Sequence, residues 1–465
     1  MDNTAWTSTS LSEALGVNIS LDIVANKVEF NSKDILPGDI FIGLPGANRD
    51  GNEFVEDAIA KGAAFAITNR TIHVAKNILY IEDTFKALQQ LADYKRRNSN
   101  TKFVGITGSV GKTSTKEATA SILSNFAHTF CNKGNFNNYI GVPLSLASLP
   151  IAAHFSVNEL GMNSEGEIRS LVKQLKPHIA IITKIGEAHL EFFNSIEDIC
   201  RAKCEIFEGL NNDGVAIVNR DCQFYAMQIK ILKQLGIKEI YSFGENLQSD
   251  CFISEYKNLG DVSEVTYNIL GKIYRTKNYL LGKHQSLNIA SSLLAALALG
   301  VNMDQATSAV EAIRPYNGRG TEWSITLSNG NNIVIIDDAY NSNPLSLKAA
   351  LSTISEKKGN KIAILADMKE LGSEGSKIHA EMAGYVIKSG VSRLFTVGHL
   401  MQNLHNEVKN KLVQSFHYDE ANEEIFEEIF EEIKKQEQDT VLLVKGSNST
   451  GIRDIVSYIK RKHNI

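Results

Sequence analysis

Lys102-Phe-Val-Gly-Ile-Thr-Gly-Ser-Val-Gly-Lys-Thr-Ser-Thr-Lys-Glu-Ala118 is the stretch that decides how this chain is read. It begins as an apolar strand, turns through small residues and starts a helix with Lys112 and Thr113 in the first turn. That layout suits a nucleoside triphosphate. Gly108 and Gly111 let backbone N–H groups close on phosphate oxygens, and the helix N-terminus adds a favourable dipole. Lys112 can reach the β- and γ-phosphates, and the Thr113 hydroxyl can ligate Mg²⁺. The strict GxxxxGKS/T spacing fails, because Ile106 stands where its first glycine belongs.

Downstream of this loop the chain keeps a strand–helix rhythm. Phe155-Ser-Val-Asn-Glu, Ile179-Ala-Ile-Ile-Thr and Val215-Ala-Ile-Val-Asn read as buried strands, which predicts a parallel sheet covered by helices. Residues 241–278 carry short strand-like runs that predict an antiparallel addition, and residues 286–300 read as a small-residue helix ended by Gly300. A second rhythm follows Trp323, with strands at Ile333-Val-Ile-Ile-Asp, Lys361-Ile-Ala-Ile-Leu, Arg393-Leu-Phe-Thr-Val and Thr440-Val-Leu-Leu-Val. Ile425, Phe426, Ile429, Phe430 and Ile433 recur at helical spacing, predicting a core-facing helix with an acidic outer face. Upstream lie short mixed elements, a helix over residues 53–61 among them, and a polar connecting helix from Thr84 to Arg97. The expected fold is α/β in three domains. These are a small mixed α/β domain at 1–83, a central parallel-sheet P-loop domain at 84–316 and a Rossmann-like α/β domain at 317–465.

Composition agrees with that division. A chain of 465 residues predicts about three domains. Its 43% apolar and 22% charged residues are ordinary for globular proteins. A net charge of −5 argues against nucleic acid as a partner. Five cysteines without CxxC spacing suit a reduced cytosolic protein. The N-terminal residues carry no basic or apolar signal, and no apolar run nears the roughly 20 residues that span a bilayer. A cytoplasmic monomer is expected.

Phosphate chemistry calls for a cation, and ligand groups gather beyond the carboxyl ends of parallel strands. Glu159 follows the strand from Phe155, and His189 follows a strand read over residues 179–185, so both can face the loop. Lys203 by its own pattern is a helix-surface lysine. Cys200 and Cys204 flank it at i, i+4 spacing, with no second ligand pair to complete a soft-metal site. The amides of Asn135, Asn137 and Asn138 suit sugar or phosphate groups, or an ordinary turn. Ile336-Asp-Asp-Ala-Tyr-Asn-Ser-Asn-Pro, after a strand, offers a carboxylate for a ribose and an aromatic face for a base. Arg319, at a Gly-rich hinge, suits bidentate phosphate contact.

The series Thr107-Gly-Ser-Val-Gly-Lys-Thr, Asn135-Phe-Asn-Asn-Tyr-Ile-Gly-Val-Pro, Asn158-Glu-Leu-Gly-Met and Ile185-Gly-Glu-Ala-His-Leu-Glu resembles the Mur ligase family. Arg201-Ala-Lys-Cys-Glu-Ile, Gly282-Lys-His-Gln, Asn317-Gly-Arg, Asp337-Asp-Ala-Tyr-Asn-Ser-Asn-Pro, Leu365-Ala-Asp-Met-Lys-Glu-Leu-Gly and Val444-Lys-Gly-Ser extend the resemblance through nearly the whole chain. It implies an ATP-dependent amide ligase of peptidoglycan precursor synthesis, acting through an acyl phosphate. The Asp-Ala-Tyr-Asn-Ser-Asn-Pro and Asp-Met-Lys-Glu-Leu-Gly segments look like the member that adds D-Ala-D-Ala to UDP-MurNAc-tripeptide. The Asp-Asn-Pro-Arg box of the diamino-acid-adding member is absent.

The resemblance also implies roles. Lys112, Lys203, His189 and Arg319 become catalytic. Gly108, Ser109, Val110, Gly111, Lys112, Thr113, Ser114, Asn288, Arg319, Asp338, Tyr340 and Asn341 contact ATP. Two Mg²⁺ are expected on Thr113, Glu159, His189 and a carbamylated Lys203, which reverses the surface reading of that lysine. Ser32, Asn137 and Asn138 fall where the UDP-substrate is bound. Three departures stand out: Asn31-Ser32-Lys33 for Asp-Ser-Arg, Val110 for Asn or Ser, and Met162-Asn-Ser-Glu for Ala-Asn-His-Pro. A folylpolyglutamate-type ligase shares the loop and the lysine, but the three-domain pattern and the Asp-Ala-Tyr-Asn segment favour the cell-wall enzyme.

Overall fold

The computed structural model describes residues 6–46, 49–72, 75–411 and 414–463. A nine-stranded sheet forms the middle of the molecule. From one edge it runs Lys272–Asn278, Ser263–Ile269, Cys251–Asn258, Glu239–Gly244, Val215–Asn219, Ile179–Ile182, Lys102–Thr107, Phe155–Glu159 and Thr129–Cys131. The first three strands pair antiparallel, which is the addition the sequence predicts, and the others run parallel. All four residues of Ile179–Ile182 are buried, as expected of a parallel strand covered on both faces. Two apolar layers do the covering. One holds Val104, Ile106, Ile122 and Leu293, and the other Phe103, Ile182, Ile199 and Phe207.

Lys102–Thr107 lies between two strands that come later in the chain, Phe155–Glu159 on one side and Ile179–Ile182 on the other. Their connections diverge, so a crevice opens beyond its carboxyl end, where the Gly-rich turn and the helix Lys112–Ser124 begin. That helix packs on Lys283–Ala298, whose inward face is dominated by Ala290, Ser291, Ser292 and Ala295. Small side chains allow close approach, and Thr119 Oγ1 donates to Ser292 Oγ at 2.9 Å in the buried seam. Leu293 fills the space beside it, fully buried.

The C-terminal sheet has the order Thr321–Thr326, Asn332–Asp338, Thr440–Lys445, Asn360–Ala366, Arg393–Val397, Gln414–Tyr418, parallel except for its first pair. The acidic-faced helix Glu423–Lys434 buries Phe426, Ile429, Phe430 and Ile433 against it. The N-terminal part holds four short parallel strands from Val28 to Tyr80 and a two-stranded pair, Trp6–Thr7 with Val24–Ala25. It is tied to the middle by the Trp6 indole, which donates to Ala147 O at 2.8 Å.

Two local expectations change. The strand read to residue 185 ends at Ile182, because the next side chain, Thr183, turns its hydroxyl onto Thr107 O and Val110 O. The helix read over residues 53–61 starts as a 3₁₀ turn, Gly51–Phe54, capped by Asp50, before Val55–Ala60. Among the described residues no helix is long and apolar enough to cross a membrane.

Leu293→Ala removes a fully buried side chain from the seam behind the phosphate loop. It should lower the unfolding free energy by about 2–5 kcal/mol, measured by urea denaturation with the slope unchanged.

Candidate active site

The loop is shaped by its neighbours. Gly108 and Gly111 take φ of 155° and 84°. A Cβ at Gly108 would strike Thr183 Oγ1, and one at Gly111 would lie 2.5 Å from Asn288 Oδ1. Glycine is required at both. Ser109 donates from its backbone to Lys184 O at 2.7 Å and from its hydroxyl to Gly186 O at 3.0 Å, while Thr183 Oγ1 donates to Val110 O at 2.6 Å. Lys112 Nζ folds back onto Gly108 O at 2.7 Å. Ser114 shares the first helical turn with Lys112 and Thr113.

Strand register pairs Ile106 with Glu159 and so brings a carboxylate to the loop. Thr113 Oγ1 donates to Glu159 Oε2 at 2.6 Å, and Asn137 Nδ2 donates to Oε1 at 2.8 Å. Asn132 Oδ1 accepts from the Glu159 backbone at 2.9 Å. Beneath it, the fully buried Lys116 donates from Nζ to Asn132 O at 2.6 Å and pairs with Glu117.

Lys203, on the helix Ile196–Cys204, is fully buried, and its amine has no hydrogen-bond partner. Burial, and then the charge of Lys112, hold its pKa well below that of an ordinary lysine. Lys112 is also pushed down, by burial, with Glu159 opposing and Arg319 reinforcing the shift. Positive charge is therefore crowded here. His189 stands at φ 59°, with Nδ1 2.6 Å from Glu370 Oε2. Burial holds its imidazole below the usual pKa, against the pull of Glu370.

Glu370 comes from the C-terminal sheet, which leans over the loop. Asn343 Nδ2 reaches Ser109 O at 3.5 Å, Lys348 lies 3.9 Å from Glu187, and a Cβ at Gly186 would run into Leu345. At the junction the Arg319 guanidinium stacks 4.2 Å from the Tyr340 ring centre. Asp338 pairs with the buried Lys445 at 2.6 Å, because strand register sets the two side by side, and Lys445 also donates to Asn341 O at 3.1 Å. A cavity lined by Leu280, His284, Gln285, Arg319, Asp338 and Thr353 opens between the two sheets.

A phosphate loop, a carboxylate, an imidazole and a buried lysine, closed over by a second α/β domain, can be compared with known proteins. The Mur ligase middle domain matches residues 106–296, and the Mur ligase glutamate ligase domain matches residues 324–448. The chain is 38% identical to the UDP-N-acetylmuramoyl-tripeptide--D-alanyl-D-alanine ligase of Rickettsia prowazekii, over 97% of this chain and 99% of that one. It belongs to the Mur ligase family. The ligase of the same name from Escherichia coli is 30% identical over 96% and 95% of the two chains. A crystal structure of MurF from Acinetobacter baumannii superposes with a TM-score of 0.86 at 30% identity, covering 98% and 99%.

The Mur ligase fold brings Gly108 to Ser114, Glu159, His189, Lys203, Asn288 and Arg319 to one place. Asp338, Tyr340 and Asn341 lie with Arg319 on the C-terminal side of the junction. Ser32 lies apart, buried in the N-terminal part, with its backbone oxygen accepting from Lys61 Nζ at 3.1 Å. Asn138 stands just before the helix Gly141–Ala147, its Oδ1 accepting from the backbone of Ile140 and Gly141. The surface reading of Lys203 is corrected: the residue points into the core. Glu370, Lys445, Asn132, Lys116 and His284 were missed. The segments Asp-Met-Lys-Glu-Leu-Gly, Gly282-Lys-His-Gln and Val444-Lys-Gly-Ser held Glu370, His284 and Lys445 as motif positions without a role, and Asn132 and Lys116 act through tertiary contacts that spacing does not encode.

An imidazole normally takes its proton near 6.5, whereas burial at the junction holds His284 down to about 4. As the pH falls the unfolded chain is protonated first. The stability due to neutral His284 is whole above 6.5 and drains away between 6.5 and 4. Urea midpoints taken at about pH 7.5 and about pH 5 should fall more steeply for the parent than for His284→Gln.

Proposed function

We propose that this Mur ligase joins D-alanyl-D-alanine to UDP-MurNAc-tripeptide with ATP, giving UDP-MurNAc-pentapeptide, ADP and phosphate. The observation that carries an amide-ligase reading is the unpartnered, fully buried Lys203 amine beside a phosphate loop that a second domain covers. The choice of substrates rests on the likeness to ligases of that name along the whole chain. The sheets fall within the divisions 1–83, 84–316 and 317–465, which we adopt as domains.

A carboxylate is a poor acyl donor, so the tripeptide terminus first takes the γ-phosphoryl group of ATP. The resulting acyl phosphate is attacked at carbon by the free amine of D-Ala-D-Ala. The tetrahedral adduct then expels phosphate and loses a proton to give the amide. Lys112 and Arg319 neutralise the transferring group, one from beneath the loop and one from the hinge. Docking of the C-terminal domain excludes water, so that amine and not water meets the acyl phosphate. Asp338 and the junction cavity take the ribose and base.

The residues present fit the cations of the family. Among the described residues no three His, Cys, Asp or Glu side chains form a cation site unaided, so the donors must include hydroxyl, carbamate and phosphate oxygens. Thr113, Glu159, His189 and Lys203 would hold two Mg²⁺, whose charge offsets the polyphosphate. A lysine kept neutral by burial can add to carbon dioxide, forming an N–C bond and releasing a proton. The product is an anion where a neutral amine stood, which offsets the charge of Lys112 and satisfies the orphaned amine.

Ser32 is retained as a UDP contact, and Asn137 and Asn138 would meet substrate by exchanging their present bonds. The five cysteines are all free, in keeping with a reducing cytoplasm, and one chain supplies every group named, so a monomer suffices.

Phosphate release from ATP should require both UDP-MurNAc-tripeptide and D-Ala-D-Ala. Release with a diamino acid and the dipeptide-stage acceptor, but none with D-Ala-D-Ala, would transfer the assignment to the preceding ligase. Lys203→Ala should lose at least about 100-fold in kcat with its melting temperature retained, and recover part of it in excess short-chain carboxylate. Full activity without rescue would exclude the carbamate.

A further inference from the structure

His189 and Glu370 come from different domains, and both hold left-handed backbone, at φ 59° and 64°. Neither is glycine, so each conformation is strained and persists only because its surroundings over-determine it. Those surroundings are one another. Glu370 Oε2 lies 2.6 Å from His189 Nδ1, and Glu370 O accepts from Glu191 N at 3.2 Å. Gly372, at φ 58°, lets the two backbones meet: a Cβ there would come within 3.2 Å of Glu191 Cα.

The turn bearing Glu370 is itself braced. His379 Nε2 accepts from Met368 N at 3.0 Å, its Nδ1 lies 2.6 Å from Gly375 O, and Lys369 N donates to Ser447 Oγ at 3.1 Å. A carboxylate held this close to Nδ1 of His189 limits the ways the imidazole can face.

We propose that Glu370 is a positioning residue that makes docking of the C-terminal domain and orientation of His189 a single event. Undocked, His189 loses the carboxylate beside it and the imidazole is free to rotate. Docked, the ring is held in one orientation beside Lys112 and Lys203. The reading of the loop as an ATP site is assumed here, but the identity of the acceptor peptide is not.

The experiment uses full-length protein and the variants Glu370→Gln and Glu370→Ala. Small-angle scattering with a non-hydrolysable ATP analogue and Mg²⁺ reads docking, calorimetry reads analogue affinity, and steady-state assays separate kcat from the Mg²⁺ requirement. Glu370→Ala should shift scattering towards an extended form and lower kcat by roughly 10–100-fold. It should also raise the half-saturating Mg²⁺ by about tenfold, with analogue affinity within about threefold. Glu370→Gln, which keeps an acceptor oxygen, should recover much of the docking and of kcat. Unchanged scattering and Mg²⁺ dependence in both variants would overturn the proposal. If the alanine variant does not fold, the glutamine variant and the scattering decide. If the parent lacks ligase activity with D-Ala-D-Ala, the scattering arm still reads the latch while the substrate assignment fails.

Discussion

Two lysine amines and a guanidinium share one water-poor crevice, and the rest of the site is arranged around that crowding. Burial and then the charge of Lys112 depress the Lys203 pKa, while burial and then Arg319 depress that of Lys112. A buried cation with no partner is strongly destabilising, so such a group relaxes by giving up its proton or by acquiring an anion. Lys112 shares the crevice with Glu159 and Glu370, and has a backbone acceptor in Gly108. Lys203 has no acceptor among the described residues. A polyphosphate would answer the first shortage and, under the function proposed above, a carbamate the second. The charges of the crevice thus specify what it binds.

Closure follows from the same shortage. The C-terminal domain brings a negative charge in Glu370 and a positive one in Arg319, whose guanidinium rests on Tyr340 from its own side of the junction. Asp338 is meanwhile neutralised by Lys445 on the adjoining strand, so a ribose would exchange one polar partner for another without stranding a charge. The junction buries paired groups, and only the phosphate region keeps excess positive charge. That division lets the domains dock before the chemistry while leaving the binding energy of phosphate for the reacting centre.

Much of this was legible in the sequence, and the illegible part has a common cause. Ile179-Ala-Ile-Ile could hardly be other than a doubly covered strand, and Phe426, Ile429, Phe430 and Ile433 could only face a core. Lys203 misled because the helix Ile196–Cys204 is apolar on more than one side, and periodicity cannot say that a lysine among Cys200 and Cys204 points inward to another domain element. The resemblance repaired that reading, which shows the signal lay in the motif's identity and not in its local physics. Glu370, Lys116 and Asn132 stayed hidden for a related reason. Each serves the site through a partner distant in sequence, and only the tertiary fold brings those partners near.

Position 106 unites these points. A glycine there, as the commoner phosphate-loop pattern has it, would lengthen the loop and loosen the strand end. Ile106 is fully buried and pairs in the ladder with Glu159, so the strand runs one residue further before the turn. The backbone then has only the residues from Gly108 to Gly111 in which to reverse, and Thr183 ties that reversal to the next strand through Val110 O. The same pairing sets the Glu159 carboxylate level with the first helical turn, where the Thr113 hydroxyl finds it at 2.6 Å. A departure from the familiar spacing is therefore what places an acid at the mouth of the loop. The narrow turn and its carboxylate are two consequences of one apolar residue in a strand.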